Sequence, residues 1–149
     1  MKIKNQLLAH CWQYVDQRLA NLTKAQDEVK QATFEETKST AGDKHETGRA
    51  MMQLEQEKLS AQMADVFQLR QVLERIHLDM NKGTVGEGSL VITTQANYFI
   101  CISAGKAEID GKTYFMISPM SPVAEVLMGH KPGETVSFRG QKLGVLEVF

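Results

Sequence analysis

Hydrophobic residues in the first half of the chain recur at alternating steps of three and four residues, which is the period of a helix that packs along one side. The first stripe consists of Leu8, Trp12, Val15, Leu19, Leu22 and Val29, with Gln26 as a polar member. The second consists of Leu59, Met63, Val66, Leu69, Leu73, Ile76 and Met80. One polar loop joins the two segments. The pattern predicts an antiparallel coiled-coil hairpin over residues 1–80, with arms of roughly 48 Å at about 1.5 Å per residue.

The second half changes from helical spacing to short runs of β-branched and aromatic residues, which are typical of strands. The predicted strands cover residues 90–92, 98–102, 113–117, 135–138 and 145–148. Asp110-Gly111 indicates a hairpin turn. Ser121 and Pro122 indicate the N-cap and first position of a helix that Gly129 ends. Residues 89–149 are therefore predicted to form an antiparallel β-sheet domain with one short helix.

Glycine and proline separate the two halves. Only two of the eleven glycines precede residue 81, and all three prolines follow it. The glycine-rich stretch 81–88 is predicted to be a linker between the hairpin and the sheet domain. The fold class that follows is α+β.

Composition narrows the class of protein. Of the 149 residues 42% are hydrophobic, the formal charge is -1, and no apolar run approaches the roughly 20 residues that cross a bilayer. We expect a cytoplasmic protein without a signal peptide or a membrane contact. The two cysteines, Cys11 and Cys101, lie far apart outside any ligand motif, and we expect buried thiols rather than a disulfide framework, a zinc site or a nucleophile.

The loop between the two helical segments, near residues 35–48, carries two acids at a spacing of three, Asp43 and Glu46. One interpretation is structural, because Asp43 suits a helix N-cap and Glu46 completes a form of capping box. The other is functional, because carboxylates three residues apart share a helix face. Two carboxylates make an incomplete Mg²⁺ site. The pair would then be a half-site that a partner completes.

Three motifs resemble one protein family. Gly42-Asp43-Lys44-His45-Glu46 has the form Gly-Asp-x-x-Glu, residues 117–129 read ISPMSPVAEVLMG, and residues 131–136 read KPGETV. They resemble the tip and C-terminal signatures of the bacterial transcript-cleavage factors GreA and GreB. The resemblance covers residues 89–149 and, more loosely, the architecture of residues 1–80. It implies that the C-terminal domain has an FKBP-like fold.

The resemblance also implies a mechanism. The C-terminal domain would dock on bacterial RNA polymerase near its secondary channel, through a region that contains Ser118, Pro119, Ser121, Pro122 and Gly129. The hairpin would enter the channel and promote cleavage of backtracked RNA. Asp43 and Glu46 would share a Mg²⁺ ion with the polymerase. Lys44 and His45 would be tip contacts that either stay solvated or touch RNA phosphate, and the hairpin tip could contact the RNA 3′ end indirectly. The protein would then stimulate the polymerase's own chemistry and hold no metal stably alone.

Three alternatives stay open. Thr47-Gly48-Arg49 follows Glu46 where the family has asparagine and an aromatic residue, which favours a channel-binding regulator without cleavage activity. An FKBP-like domain suggests a prolyl isomerase, but the tryptophan floor of such a pocket has no counterpart, because the single tryptophan is Trp12 in the coiled coil. A structural adaptor would bind partners along the side of the hairpin. The coiled coil could also pair two copies into a homodimer.

Overall fold

A computed structural model of the chain describes residues 1–38, 42–79 and 83–149, with the side chains of residues 36–38 and 42–45 outside that description. The helices are α1 (Lys2–Lys38), α2 (Gly42–Arg75) and α3 (Pro122–Leu127). The strands are β1 (Leu90–Thr93), β2 (Asn97–Ile100), β3 (Gly105–Ile109), β4 (Lys112–Ile117), β5 (Thr135–Phe138) and β6 (Gln141–Val148). The chain divides into two compact units, one of Met1–Tyr14 with Gln71–Phe149 and one of Val15–Arg70.

The two long helices form the predicted antiparallel hairpin. Near the end of α1, the Thr33 hydroxyl lies 3.4 Å from the sulfur of Met52, which is near the start of α2. The helix α2 begins at Gly42, one residue before the predicted N-cap, so Asp43 lies in its first turn. Neither long helix is apolar enough to span a bilayer within the part of the chain that the structure describes.

The seam of the hairpin follows the predicted stripes with one shift. Val15, Leu59, Val66 and Leu73 are buried, as predicted. At the start of α1, however, the buried side chains are Leu7 and Cys11, whereas Leu8 and Trp12 are half-buried. Leu7, Cys11 and Val15 are four residues apart, so they share one face of the helix. The first turns of α1 belong to the same compact unit as the sheet, and their buried face is set by that packing.

The sheet has six strands in the order β3-β4-β2-β1-β6-β5. All five predicted strands are present, and neighbours pair antiparallel except β2 and β4, which run parallel. The sequence pattern missed β3, which forms a hairpin with β4 at the predicted Asp110-Gly111 turn. Because β3 and its hairpin lie between β2 and β4 in the chain, β4 returns alongside β2 in the same direction.

The core of the sheet domain lies between the sheet and α3. Ala124 and Leu127 of α3 pack against a buried cluster that includes Val91, Ile100 and Val145. Val85 belongs to the same cluster although it lies in the predicted linker. The predicted limits 1–80, 81–88 and 89–149 stay a prediction, but the described part of the linker contributes to the core.

Candidate functional site

The first candidate site is the turn of the hairpin. Residues 39–41 and the side chains of Asp43, Lys44 and His45 lie outside the described residues, so their predicted contacts stay predictions. Glu46 is described and is exposed. The backbone places positions 43 and 46 in the first turns of α2. Among the described residues, no three His, Cys, Asp or Glu side chains are grouped closely enough to hold a metal ion.

The second candidate site is the segment Ser118–Gly129, the predicted docking region, whose geometry is described throughout. A tight turn precedes α3: the Ser121 amide and hydroxyl both donate to the Ser118 carbonyl, at 3.0 and 2.7 Å. The Met120 amide donates to the Ser118 hydroxyl at 3.1 Å. Both serines of the motif thus hold the turn that presents Met120.

The helix α3 begins and ends where the sequence predicts, with one difference. Ser121 has the extended backbone of an N-cap and Pro122 follows at the first helical turn, but the Ser121 side chain makes no capping hydrogen bond. Its hydroxyl proton is already donated within the preceding turn. At the other end, Gly129 adopts a φ of 80°, and its amide donates to the Val85 carbonyl at 2.9 Å. A left-handed residue there favours glycine.

The docking region presents apolar side chains to solvent. Met120 is 82% exposed, and Met128 is 38% exposed at the C-terminal end of α3. Pro122 and Glu125 are also exposed. A methionine that adapts its shape and projects from a rigid turn is suited to a pocket on a protein partner.

A turn beside this region is fixed by a pair of side chains to which the sequence pattern gave no role. The His130 ring nitrogen Nδ1 lies 2.9 Å from Oε2 of Glu134, and the Lys131 amide donates to Oε1 at 3.0 Å. The contact with His130 is the main reason that the pKa of Glu134 lies below its ordinary value. The spacing of four residues across Lys131-Pro132-Gly133 is the signal that could have indicated this pair.

The start of α1 and the end of α2 both contact residues that follow α2, within one compact unit. The Lys4 ammonium donates to the Leu78 carbonyl at 2.9 Å, and only 3% of Lys4 is exposed. Burial lowers the pKa of Lys4, and the charge of Asp79 opposes that shift. Arg75 makes a two-pronged ion pair with Glu87, with N–O distances of 2.8 and 3.1 Å. Because these residues are distant in sequence, no local sequence pattern could have predicted the contacts.

The two cysteines meet in the same unit. Cys11 of α1 is 0% exposed and Cys101, which follows β2, is 1% exposed, and both are free thiols. The hydrogen bond with Cys11, followed by burial, raises the pKa of Cys101 well above its ordinary value. Since the thiolate is the reactive form, this environment disfavours nucleophilic chemistry. The prediction of buried thiols is confirmed.

The chain combines a two-helix hairpin with a six-stranded sheet domain that carries the Ser-Pro helix motif. Residues 82–148 match the family described as "Transcription elongation factor, GreA/GreB, C-term". The match covers the C-terminal domain, so it is this domain that is similar to the GreA/GreB C-terminal family.

Two solved structures are similar over most of their length. One is the GreA factor homolog 1 (Gfh1) protein of Thermus thermophilus, at 19% identity, with 93% of this chain and 94% of that chain covered and a TM-score of 0.38. The other is described as the transcription factor Gfh1, at 17% identity, with 92% of each chain covered and a TM-score of 0.35. Similarities this low carry no functional argument. No curated protein sequence matches the chain.

Proposed function

We propose that the protein binds bacterial RNA polymerase and inserts its hairpin into the secondary channel, where it promotes cleavage of the transcript in backtracked complexes. One combination supports the proposal: a GreA/GreB C-terminal domain follows a helical hairpin whose second helix begins with Asp43 and Glu46. The similarity of the C-terminal domain supports RNA polymerase as the partner, and the two acids support metal-assisted cleavage of RNA as the chemistry. This function implies a cytoplasmic location.

The chemistry assigned to the hairpin turn is that of a donated half-site. Carboxylate oxygens are the ligands that Mg²⁺ prefers, and one or two protein carboxylates commonly suffice when other groups complete the shell. Two acids three residues apart at a helix start fit that role, because they share one face of the helix. Asp43 and Glu46 would bind the ion jointly with the polymerase and orient the attacking water. The ion itself would stabilise charge on the phosphodiester that is cleaved.

The docking role falls on the segment Ser118–Gly129. Its backbone is fixed by the turn at Ser118, by Pro122 and by the hydrogen bond between Gly129 and Val85. A rigid segment loses little conformational freedom on binding, so the exposed Met120 can contribute its full apolar contact. Ser118, Pro119 and Ser121 would then shape the surface more than they contact the partner.

A cleavage assay with a stalled, backtracked elongation complex tests the proposal. The wild-type protein should shorten the transcript, whereas the pair Asp43→Ala and Glu46→Ala should still bind the polymerase and not cleave. A matched control is Asp65→Ala with Glu74→Ala, which removes two exposed acids from α2 away from the hairpin turn. If cleavage survives the first double substitution, the half-site mechanism is wrong.

The second candidate function is a regulator that occupies the channel without promoting cleavage. Thr47-Gly48-Arg49 supports it, because these residues follow Glu46 at the positions where the family has asparagine and an aromatic residue. The same assay separates the two functions. Tight binding to the polymerase, together with unchanged transcripts at any Mg²⁺ concentration, would select the regulator.

A further inference from the structure

One side of the hairpin carries a groove that the helices do not fill. Its lining comes from one face of each helix, at the helical spacing of three and four: Ala25, Glu28, Val29 and Ala32 of α1, and Gly48, Met51, Met52 and Glu55 of α2. We call this the acid-rimmed groove. It encloses about 530 Å³ and lies entirely within the unit Val15–Arg70.

The groove is open because its floor is made of small residues. Ala25, Ala32 and Gly48 have no atoms beyond Cβ, so α1 and α2 leave space between them at this level. Further along α2 the seam is filled, since Leu59 is 4% and Val66 0% exposed. The seam is thus filled at Leu59 and Val66, whereas the groove lies nearer the hairpin turn.

Exposed apolar side chains stand beside the floor. Met51 is 66% exposed, and Leu54, three residues further along α2, is also 66% exposed. Side chains three residues apart on a helix are neighbours, so the apolar surface continues from Met51, which lines the groove, to Leu54, which lies outside its lining. An apolar strip beside an unfilled groove is the kind of surface that binds the apolar face of an amphipathic helix. Methionine adapts its shape to the side chains that enter such a groove.

The charges on the rim select the occupant. Glu28 stands on the α1 side and Glu55 on the α2 side. Lys24 and Lys58 lie about one turn from them, yet no ion pair joins these side chains among the described residues. Two carboxylates that flank an apolar floor complement a helix with an apolar face flanked by lysine or arginine.

The same charges disfavour other occupants. A second copy packed about a twofold axis would place this rim against an identical acidic rim, and like charges that face each other weaken an interface. Nucleic acid and anionic lipid surfaces would also meet the carboxylates with phosphate groups. A basic amphipathic helix of a protein partner satisfies both the apolar floor and the acidic rim.

We propose that the acid-rimmed groove is a docking site for an amphipathic helix of a protein partner, with leucine-like side chains on its apolar face and lysine or arginine along its flanks. The groove gives the hairpin a second contact that requires no metal and no residue of the hairpin turn. It would let the side of the hairpin select its partner independently of the chemistry at Asp43 and Glu46.

The test measures binding of the 149-residue chain to a fluorescein-labelled synthetic helix made of leucine and lysine, with leucine at helical spacing. A matched peptide replaces each lysine with glutamate. Fluorescence anisotropy at near-physiological salt should show the lysine peptide binding at least 10-fold more tightly than the glutamate peptide. The double variant Glu28→Gln and Glu55→Gln should weaken the lysine peptide about 3-fold to 10-fold and reduce the dependence of its affinity on salt.

Substitutions in the floor of the groove test whether the peptide binds there rather than elsewhere on the surface. Met51→Glu should weaken binding at least 10-fold, and Gly48→Leu should do so without adding charge, because leucine fills the floor. Leu146→Glu is the matched control, since Leu146 is 54% exposed on β6, outside the hairpin, and binding should not change. Helical content measured by circular dichroism verifies that each variant is folded.

Three results would overturn the proposal. One is equal binding of the lysine and glutamate peptides, and another is undiminished binding to folded Met51→Glu and Gly48→Leu. The third is a concentration-dependent dimer, seen by sedimentation, that Met51→Glu dissociates, because the groove would then bind a second copy. The peptide assay contains no polymerase, so its outcome does not depend on the proposed transcription function.

Discussion

The thiol pair in the sheet-containing unit makes the stability of the protein depend on pH in a defined direction. Cys101 is 1% exposed and hydrogen-bonded to the free thiol of Cys11, so its own thiol stays protonated in the native state at pH values where a solvated thiol ionises. In the unfolded chain Cys101 regains a pKa of about 8.5. Above that pH the unfolded state therefore releases a proton that the native state retains.

The sign and size follow from proton linkage. A group whose pKa is raised on folding contributes its full stability below its unfolded pKa and loses it as pH rises toward the folded pKa. One proton corresponds to about 1.4 kcal/mol for each pH unit. Between pH 8.5 and 10.5 the contribution of Cys101 to the free energy of unfolding should fall by roughly 2 kcal/mol, because the buried native thiol keeps its proton over this range.

The assay compares urea denaturation of the wild type and Cys101→Ala from pH 7 to 10.5, with a phosphine reductant present throughout. At pH 7 the variant should be less stable by about 1–2 kcal/mol, the common size of a small core truncation. The difference should shrink as pH rises. Lysines such as Lys4 titrate in the same range, but they are present in both proteins and cancel in the difference.

Cys11→Ala supplies the control. It removes the partner whose hydrogen bond is the largest cause of the raised pKa of Cys101, while burial persists. In that background the loss of stability due to Cys101 should begin at the same pH and level off at a lower pH. A stability difference between wild type and Cys101→Ala that stays constant from pH 7 to 10.5 would refute the reasoning.

Three further changes test other parts of the structure. Gly144→Ala should lower the free energy of unfolding by about 1–2 kcal/mol in urea denaturation, because a Cβ there would lie 2.9 Å from Cγ2 of Thr94. The Thr94 hydroxyl also accepts a hydrogen bond from the Gly144 amide, and an unchanged urea midpoint would contradict the prediction. Met120→Glu should weaken binding to RNA polymerase about 10-fold without altering stability, whereas equal losses for Met120→Glu and Leu146→Glu would contradict a specific role for Met120. Lys4→Met should remove a rise in stability with pH, because the pKa of Lys4 is lowered on folding and the unfolded chain binds more protons near pH 10; parallel pH profiles would contradict the buried charge.

The sequence predicted the elements whose pattern is repeated many times. The hairpin follows from stripes that cover residues 8–29 of α1 and residues 59–73 of α2, and the five predicted strands follow from runs of β-branched and aromatic residues. The strand β3 was missed because its central residues, Lys106, Ala107 and Glu108, are mostly polar or small. It is an edge strand, and charged side chains on such a strand are a common protection against aggregation.

The candidate sites were predictable to different degrees. The docking region follows from a local motif, because Ser118, Ser121 and Pro122 fix a turn and a helix start through contacts only a few residues apart in the chain. The contacts of Lys4 with Leu78 and of Cys11 with Cys101 join distant parts of the chain, so no local pattern reports them. Only the packing of α1 in its compact unit brings these pairs together.

The distribution of these contacts bears on how function can be tested. Lys4, Cys11 and Arg75 hold the ends of the two long helices within the sheet-containing unit, so changes there should act on stability first. Glu46 is exposed in the described structure, and its removal should leave stability nearly unchanged. A variant that loses cleavage while its urea midpoint is preserved therefore identifies chemistry at the hairpin turn, whereas parallel losses of both would point back to the fold.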